Sequence, residues 1–224
     1  MMINRRAFLT ATALSALSLP ITALSAPNLP TGNHQGQDNT LGGTLKPYLN
    51  IGDYSDDKHR VFMFISFNCP YCKEVWKSFY DWGRTLPQPF KFVIVPLSMG
   101  DSVLDMACRC FYAVKLLDEN RLNEYTQQAF QLAEKNGNAN DHIALLGRMG
   151  FSGNQIQMAL KHSTTKKRMD RALLLARRYR LSATPHFGIA GKLATNAGYT
   201  NGDYQLLVQL LNALVSEQIL QGQE

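Results

Sequence analysis

After residue 30 the sequence has no apolar run of the roughly 20 residues that a membrane-spanning helix needs. It has no internal repeat, which excludes solenoids and propellers. No stripe interleaves basic with aromatic residues, so no nucleic-acid partner is expected. Cysteine is scarce: Cys69, Cys72, Cys108 and Cys110 are the only four. Four in 224 residues do not make a disulfide scaffold, and are few enough to be chemistry. Charged residues are 18% and hydrophobic residues 45%, the balance of an ordinary globular protein. The length suits one domain with an insertion, or two small ones, and allows a real core.

What is there begins with "MMINRRAFLTATALSALSLPITALSA". A short basic region precedes an Ala/Leu/Ser-rich apolar stretch, and small residues follow. This is the pattern of a secretory signal peptide over residues 1–25, cleaved after Ser25. An uncleaved anchor is the alternative, but Thr10, Thr12, Ser15, Ser18 and Pro20 interrupt the run. The Arg5-Arg6 pair also resembles a twin-arginine export signal, so either export route is open. The segment has no acidic residue, and its loss lowers the formal net charge from +6 to +4. That mild surplus does not imply a nucleic-acid partner.

Residues 26–44 are rich in Gly, Asn and Pro and read as a flexible leader. A short first strand is expected in "TLKPYLNI". "RVFMFISF" (60–67) is a continuous apolar run typical of a central strand covered on both faces. A helix is predicted from Pro70 to Arg84, with Val75, Trp76, Phe79 and Tyr80 at helical spacing. "PFKFVIVPL" (89–97) reads as a second buried strand, parallel to the first because a helix joins them. Helical patterns then fill 102–181. Val103, Met106, Ala107, Cys110, Val114 and Leu117 share one face of the first helix, and Gly137 stops the second. The basic residues of "TTKKRMDRALLLARRYRL" read as a solvated face. "HFGIA" and "KLATN" suggest a hairpin around Gly191-Lys192. A closing helix starts near Gly202 or Asp203. Without the helical block the order is β-α-β, β-β-α, the thioredoxin arrangement. The fold class expected is α/β: a thioredoxin-like fold with an inserted helical domain. Its parts would be 45–100 and 182–224 for the thioredoxin-like domain, and 101–181 for the insertion.

"FNCPYCKEVW" carries the chemistry. Proline favours the first helical position, so Cys69 is the N-cap, Pro70 N1, Tyr71 N2 and Cys72 N3. An N-cap side chain accepts from the amides of N2 or N3, and a helix N-terminus is electropositive. Both effects favour a thiolate at Cys69. Cys72, one turn inward, can close a disulfide and is expected to be less exposed. Cys69 then attacks or is attacked, and Cys72 resolves. Thr184-Pro185, just before an apolar strand, suits a cis peptide at a strand entrance.

Together "FISFNCPYCKEVW", "ATPHFGIAGKLATNAGY" and the intervening helices resemble the DsbA family of exported thiol–disulfide oxidoreductases, over roughly residues 44–220. The resemblance implies a catalytic pair Cys69 and Cys72, an active-site dipeptide Pro70-Tyr71 and substrate binding at Thr184 and cis-Pro185. It implies a periplasmic monomer that oxidises cysteine-containing exported proteins and is reset by a membrane redox partner, a quinone-linked oxidase by analogy. Neither metal nor organic cofactor is expected. One departure is Met63, where many members carry a buried glutamate. Its absence removes a charge that disfavours a Cys69 thiolate. A disulfide isomerase or reductase of the same superfamily is an alternative. However, only about 35 residues separate the cleavage site from the first long strand, too few for an N-terminal dimerisation domain. A chaperone working without its cysteines is another alternative.

Blander readings remain beside these. The Cys69–Cys72 pair could be an inert disulfide, or could share zinc with Cys108 and Cys110. Those two point about 200° apart on a helix, so they cannot bond to each other without a break. Cys110 is expected in the core and Cys108 as a spare thiol, with a second disulfide after distortion, or a second redox relay, as the alternatives. His186 reads as a strand-facing or surface residue, with a role near the redox pair as the alternative. Trp76 reads as core and Tyr71 as exposed.

Overall fold

The computed structural model describes residues 46–222. The signal peptide and leader expected over 1–44 lie outside the described residues. A five-stranded sheet has the order β1 (Leu49–Asn50), β5 (Leu193–Asn196), β4 (His186–Ile189), β2 (Arg60–Ile65), β3 (Lys91–Pro96). β2 and β3 run parallel, joined through α1 (Pro70–Gly83), while β4, β5 and β1 are each antiparallel to their neighbours. This is a thioredoxin-like sheet. Five helices follow β3: α2 (Ser102–Leu117), α3 (Leu122–Glu134), α4 (Ala139–Arg148), α5 (Gly153–Lys161) and α6 (Ser163–Arg178). After the β4–β5 hairpin, α7 (Tyr204–Gln221) closes the chain, capped by Asp203, whose carboxylate accepts from the amides of Gln205 and Leu206. Among the described residues no helix is long and apolar enough to cross a membrane.

β2 is central, and Val61 to Ile65 are all buried. β3 departs from expectation. It is parallel to β2 as its connection requires, but it is an edge strand, with Phe92, Val93 and Ile94 only half-buried. Its apolar side chains serve α1, as the Trp82 ring meets Phe92 edge-on at 5.8 Å.

The hairpin turn sits one residue earlier than its Gly-Lys pair suggests. Ala190 and Gly191 hold φ of 56° and 73°, and Lys192 N–H donates to Ile189 O at 3.0 Å. Positive φ at both central residues gives a turn whose twist suits paired strands. Gly191 is obligatory, because a Cβ there would lie 2.2 Å from Tyr54 O. α3 likewise ends differently. Asn136, not Gly137, takes the left-handed conformation (φ 54°), and Gly137 N–H returns to Leu132 O at 2.8 Å. Asparagine is the usual second choice for that position.

α2 is wrapped by α3, α4, α5 and α6, so it has no solvent face over residues 110–114. Cys108 is therefore buried along with Cys110, and is an unpaired thiol, as expected of a spare one. The basic face of α6 is not wholly solvated either. Arg171 and Arg178 reach the fully buried Asp57 carboxylate at 2.6 and 3.4 Å. Arg178 also stacks over the Tyr54 ring at 4.6 Å.

Just past α6, Tyr179 docks the helices onto the sheet. Its ring lies 5.4 Å from Phe62 and 5.6 Å from Phe64, and its hydroxyl accepts from Gly191 N–H at 3.1 Å. The ring rests directly on Gly188, where an added Cβ would come within 2.3 Å of it. Neither the strand backbone nor the enclosed ring can move aside. Gly188→Ala is expected to destabilise the protein by about 1–3 kcal/mol, the usual cost of overpacking. Urea unfolding at constant m-value checks this. Unchanged stability would mean that the ring has room to shift.

Candidate active site

β2 ends at Ile65, and the next residues turn the chain sharply into α1. Cys69 N–H donates to Ser66 O at 3.0 Å, and Ser66 Oγ donates to Asn68 Oδ1 at 2.7 Å. Cys69 takes the extended N-cap conformation (φ −86°, ψ 115°), with Pro70 at N1. The Cys72 amide donates to Cys69 Sγ at 3.4 Å, the capping bond that the sequence leads one to expect. From the other side, the Cys69 thiol donates to Thr184 O at 3.2 Å. The Thr184–Pro185 peptide is cis, as is Gln88–Pro89, which nothing in the sequence singles out. Residues 115 positions apart thus meet at one sulfur.

The two cysteines differ in environment. All four cysteines are free thiols; Cys69 is partly exposed and Cys72 fully buried. Burial, then the neighbouring Cys69 charge, push the Cys72 thiol well above the usual range. Tyr71 is 61% exposed and Pro70 is exposed, so the dipeptide faces solvent. Pro185 is buried and Thr184 half-buried. Trp76 is buried and stacks on Phe130 of α3, with ring centres 6.3 Å apart.

Met63 is fully buried in β2, with Ile94 and Phe187 as its strand partners. His186 is also fully buried, and its Nε2–H donates to Tyr179 O at 3.0 Å. The alternative role for His186 near the redox pair gains no hydrogen bond: Nε2–H goes to Tyr179 at the end of α6, and Nδ1 has no partner. Among the described residues, no three His, Cys, Asp or Glu side chains converge on a possible metal position. Burial pushes the Cys110 thiol up to about 12, against a hydrogen bond with Tyr125. Cys108 is raised too, by burial and then by Asp105.

Two neighbours of the pair escaped the sequence reading. Lys73 Nζ binds Glu134 at the end of α3 at 2.6 Å, beside Cys69. Tyr204, the first residue of α7, packs edge-on against Phe79 at 6.2 Å. Its phenol is raised by burial and then by the charges of Glu74, Cys69 and Cys72. Lys73 directly follows Cys72, a weak signal; nothing in the sequence marks Glu134 or Tyr204.

Fold and site together define a class: a thioredoxin-like sheet with a helical insertion, in which an N-capping Cys-x-x-Cys meets a cis-proline loop. No protein-family model and no curated protein matches the chain. Solved structures do, at low identity. DsbA from Pseudomonas aeruginosa superposes with a TM-score of 0.67 at 18% identity, covering 80% of this chain and 95% of its own. DsbA from Xylella fastidiosa gives 0.67 at 18%, covering 78% and 96%. A cysteine-to-serine variant of Proteus mirabilis DsbA, solved with a non-covalently bound peptide PWATCDS, gives 0.64 at 15%, covering 76% and 96%. The chain has the fold of these DsbA structures.

Proposed function

We propose that this protein is a periplasmic thiol–disulfide oxidoreductase that introduces disulfides into exported, cysteine-containing proteins through Cys69-Pro70-Tyr71-Cys72. The observation that carries this reading is the asymmetry of the pair. One sulfur is accessible, capped by a helix amide and set beside the carbonyl before cis-Pro185; the other is buried behind it.

In the oxidised protein a substrate thiolate attacks Cys69 Sγ. The Cys69–Cys72 bond breaks, and its electron pair leaves on Cys72 Sγ, which takes up a proton. Burial raises the Cys72 thiol, so once it has taken up the proton it is held in the neutral form. A second substrate thiolate then attacks the substrate sulfur of the mixed disulfide. Cys69 leaves as a thiolate, which the Cys72 amide and the helix N-terminus stabilise. Two electrons and one proton, taken by Cys72, pass to the pair, and the second substrate proton goes to solvent. No metal or organic cofactor takes part. A membrane redox partner returns the pair to the disulfide. Thr184 and Pro185 hold the substrate backbone across the site. The protein works as a monomer, exported through the signal in residues 1–25. The peptide bound by the Proteus mirabilis protein carries a cysteine, as a substrate segment of this chain would.

The test is the reduction potential of the pair, read from the fluorescence of Trp76, one turn after Cys72, across glutathione ratios. An oxidant is expected to lie above about −180 mV, toward the DsbA extreme. A value near that of thioredoxin, about −270 mV, would overturn the direction of electron flow and make the protein a reductase or isomerase.

A further inference from the structure

The positive charge of the chain is gathered in one place. Residues 153–181, which hold α5 and α6, carry a formal +7, with eight basic residues against Asp170 alone. The other described residues come to −1, with 13 basic and 14 acidic. The exposed face of α6 is both basic and apolar. Lys166, Lys167, Arg171 and Arg177 are exposed there, and among them Leu173 and Leu174 are 49% and 44% exposed. Lys167 and Leu174 stand seven residues apart, and Leu173 and Arg177 four apart, so cations and leucines share one side of the helix. Of the large apolar side chains exposed among the described residues, only this pair is adjacent in sequence. Arg171 and Arg178 are tied to the buried Asp57 and Lys166 to Asp170, whereas Lys167 and Arg177 have no ion-pair partner among the described residues.

We propose that the exposed face of α6 docks the protein on a bilayer of anionic phospholipid, with Leu173 and Leu174 among the headgroups and Lys166, Lys167 and Arg177 on the phosphates. The inference goes beyond the oxidoreductase reading and does not depend on it. Three observations carry it. The first is charge: a patch that holds all of the net positive charge meets its complement in a negatively charged surface. The second is composition. Exposed leucines scattered singly are ordinary, but two side by side between cations make the amphipathic pattern of a helix that lies in an interface. The third is shape. Sixteen residues make a ridge about 24 Å long, held rigidly on the sheet through Asp57. A single ridge has no walls to enclose a peptide side chain, whereas lipid headgroups close around it. A protein docked in this way would lie on the membrane that holds the redox partner its proposed function requires.

The experiment uses the protein without residues 1–25, whose apolar run would itself seek a bilayer. It is sedimented with vesicles of phosphatidylcholine alone, or with about 40% phosphatidylglycerol. Binding is expected to the anionic vesicles only, and is expected to vanish near 1 M salt, where the screening length falls to about 3 Å. Lys167→Gln with Arg177→Gln should weaken it about tenfold or more, since each cation near the surface contributes separately. Lys91→Gln with Lys135→Gln removes the same charge from exposed sites elsewhere, and should weaken binding no more than about twofold. Leu174→Trp should shift its added emission to the blue on anionic vesicles, as the ring leaves water. No binding to anionic vesicles overturns the proposal. So does equal loss in the two double variants, which would make net charge the cause, or an added emission that stays unshifted, which would leave the leucines in water. Binding to poly-glutamate without binding to vesicles also overturns it, in favour of an acidic protein partner.

Discussion

Cys72→Ala will hold a single-cysteine peptide as a stable mixed disulfide on Cys69, and Cys69→Ser will hold none. Cys69 is the only partly exposed sulfur among four; Cys72, Cys108 and Cys110 are buried. Burial pushes the thiols of Cys72 and Cys108 far up and that of Cys110 up to about 12, so each has little thiolate. Since the thiolate is the nucleophile, Cys69 should react with an aromatic disulfide reagent at least about a hundredfold faster than any other cysteine. In the wild-type protein that adduct collapses, because Cys72 Sγ displaces the aromatic thiolate and closes the Cys69–Cys72 bond. In Cys72→Ala no such attack is possible, and the adduct survives until a peptide thiolate displaces the aromatic thiolate. A peptide with one cysteine has no second thiol to release itself, so the mixed disulfide accumulates. Mass spectrometry of both variants reads the outcome. Equal labelling of Cys69→Ser and Cys72→Ala would show that Cys72 is as accessible as Cys69, and the assigned roles would be wrong.

Much of this arrangement is legible in the sequence because its signals are local. The apolar run of β2, the helical spacing of Val75, Trp76 and Phe79, and the Pro70 that fixes Cys69 as N-cap all lie within one stretch. Thr184-Pro185 could be linked to that stretch only through the likeness to a known family, yet the carbonyl of Thr184 meets Cys69 Sγ. What was not legible depends on packing between distant segments. β3 has the composition of a buried strand, and only the strand order makes it an edge. The burial of Cys108 was not legible because helical spacing defines one apolar face, whereas four surrounding helices leave α2 buried on nearly every side. The hairpin turn moved by one residue because Lys192 N–H closes on Ile189 O, which makes Ala190 and Gly191 the central residues. The Lys73–Glu134 pair depends on how the α3 end meets α1, which no local pattern encodes.

His186 is a further such case, and it leads to the largest expected effect on stability. A histidine at the start of a strand could face solvent, but here it is sealed under Tyr179 and Phe64. Its Nε2–H is bonded to Tyr179 O, and its buried Nδ1 has no partner. Protonation would place a charge and an unpaired N–H in the core. Burial accordingly lowers the imidazole from 6.5 to about 4, against the Tyr179 hydrogen bond that raises it. The sign follows from proton counting. Between about pH 6.5 and 4 the unfolded chain binds a proton at this residue and the folded chain does not. The contribution of the neutral imidazole is therefore complete above the unfolded value and is lost as pH falls toward 4. A shift of this size corresponds to roughly 3 kcal/mol. His142, lowered by burial against Asp141, acts in the same direction. In His186→Leu the Tyr179 carbonyl loses its donor, which should cost about 1 kcal/mol at pH 7.5. On acidification, however, the wild type should lose roughly 3 kcal/mol more than the variant, so the two stability curves cross. Carboxylates and His142 titrate in both proteins and cancel in the difference. Urea unfolding from pH 7.5 to 4 measures that difference directly. Parallel curves would mean that His186 takes up its proton inside the folded protein, and that the region around the end of α6 admits water.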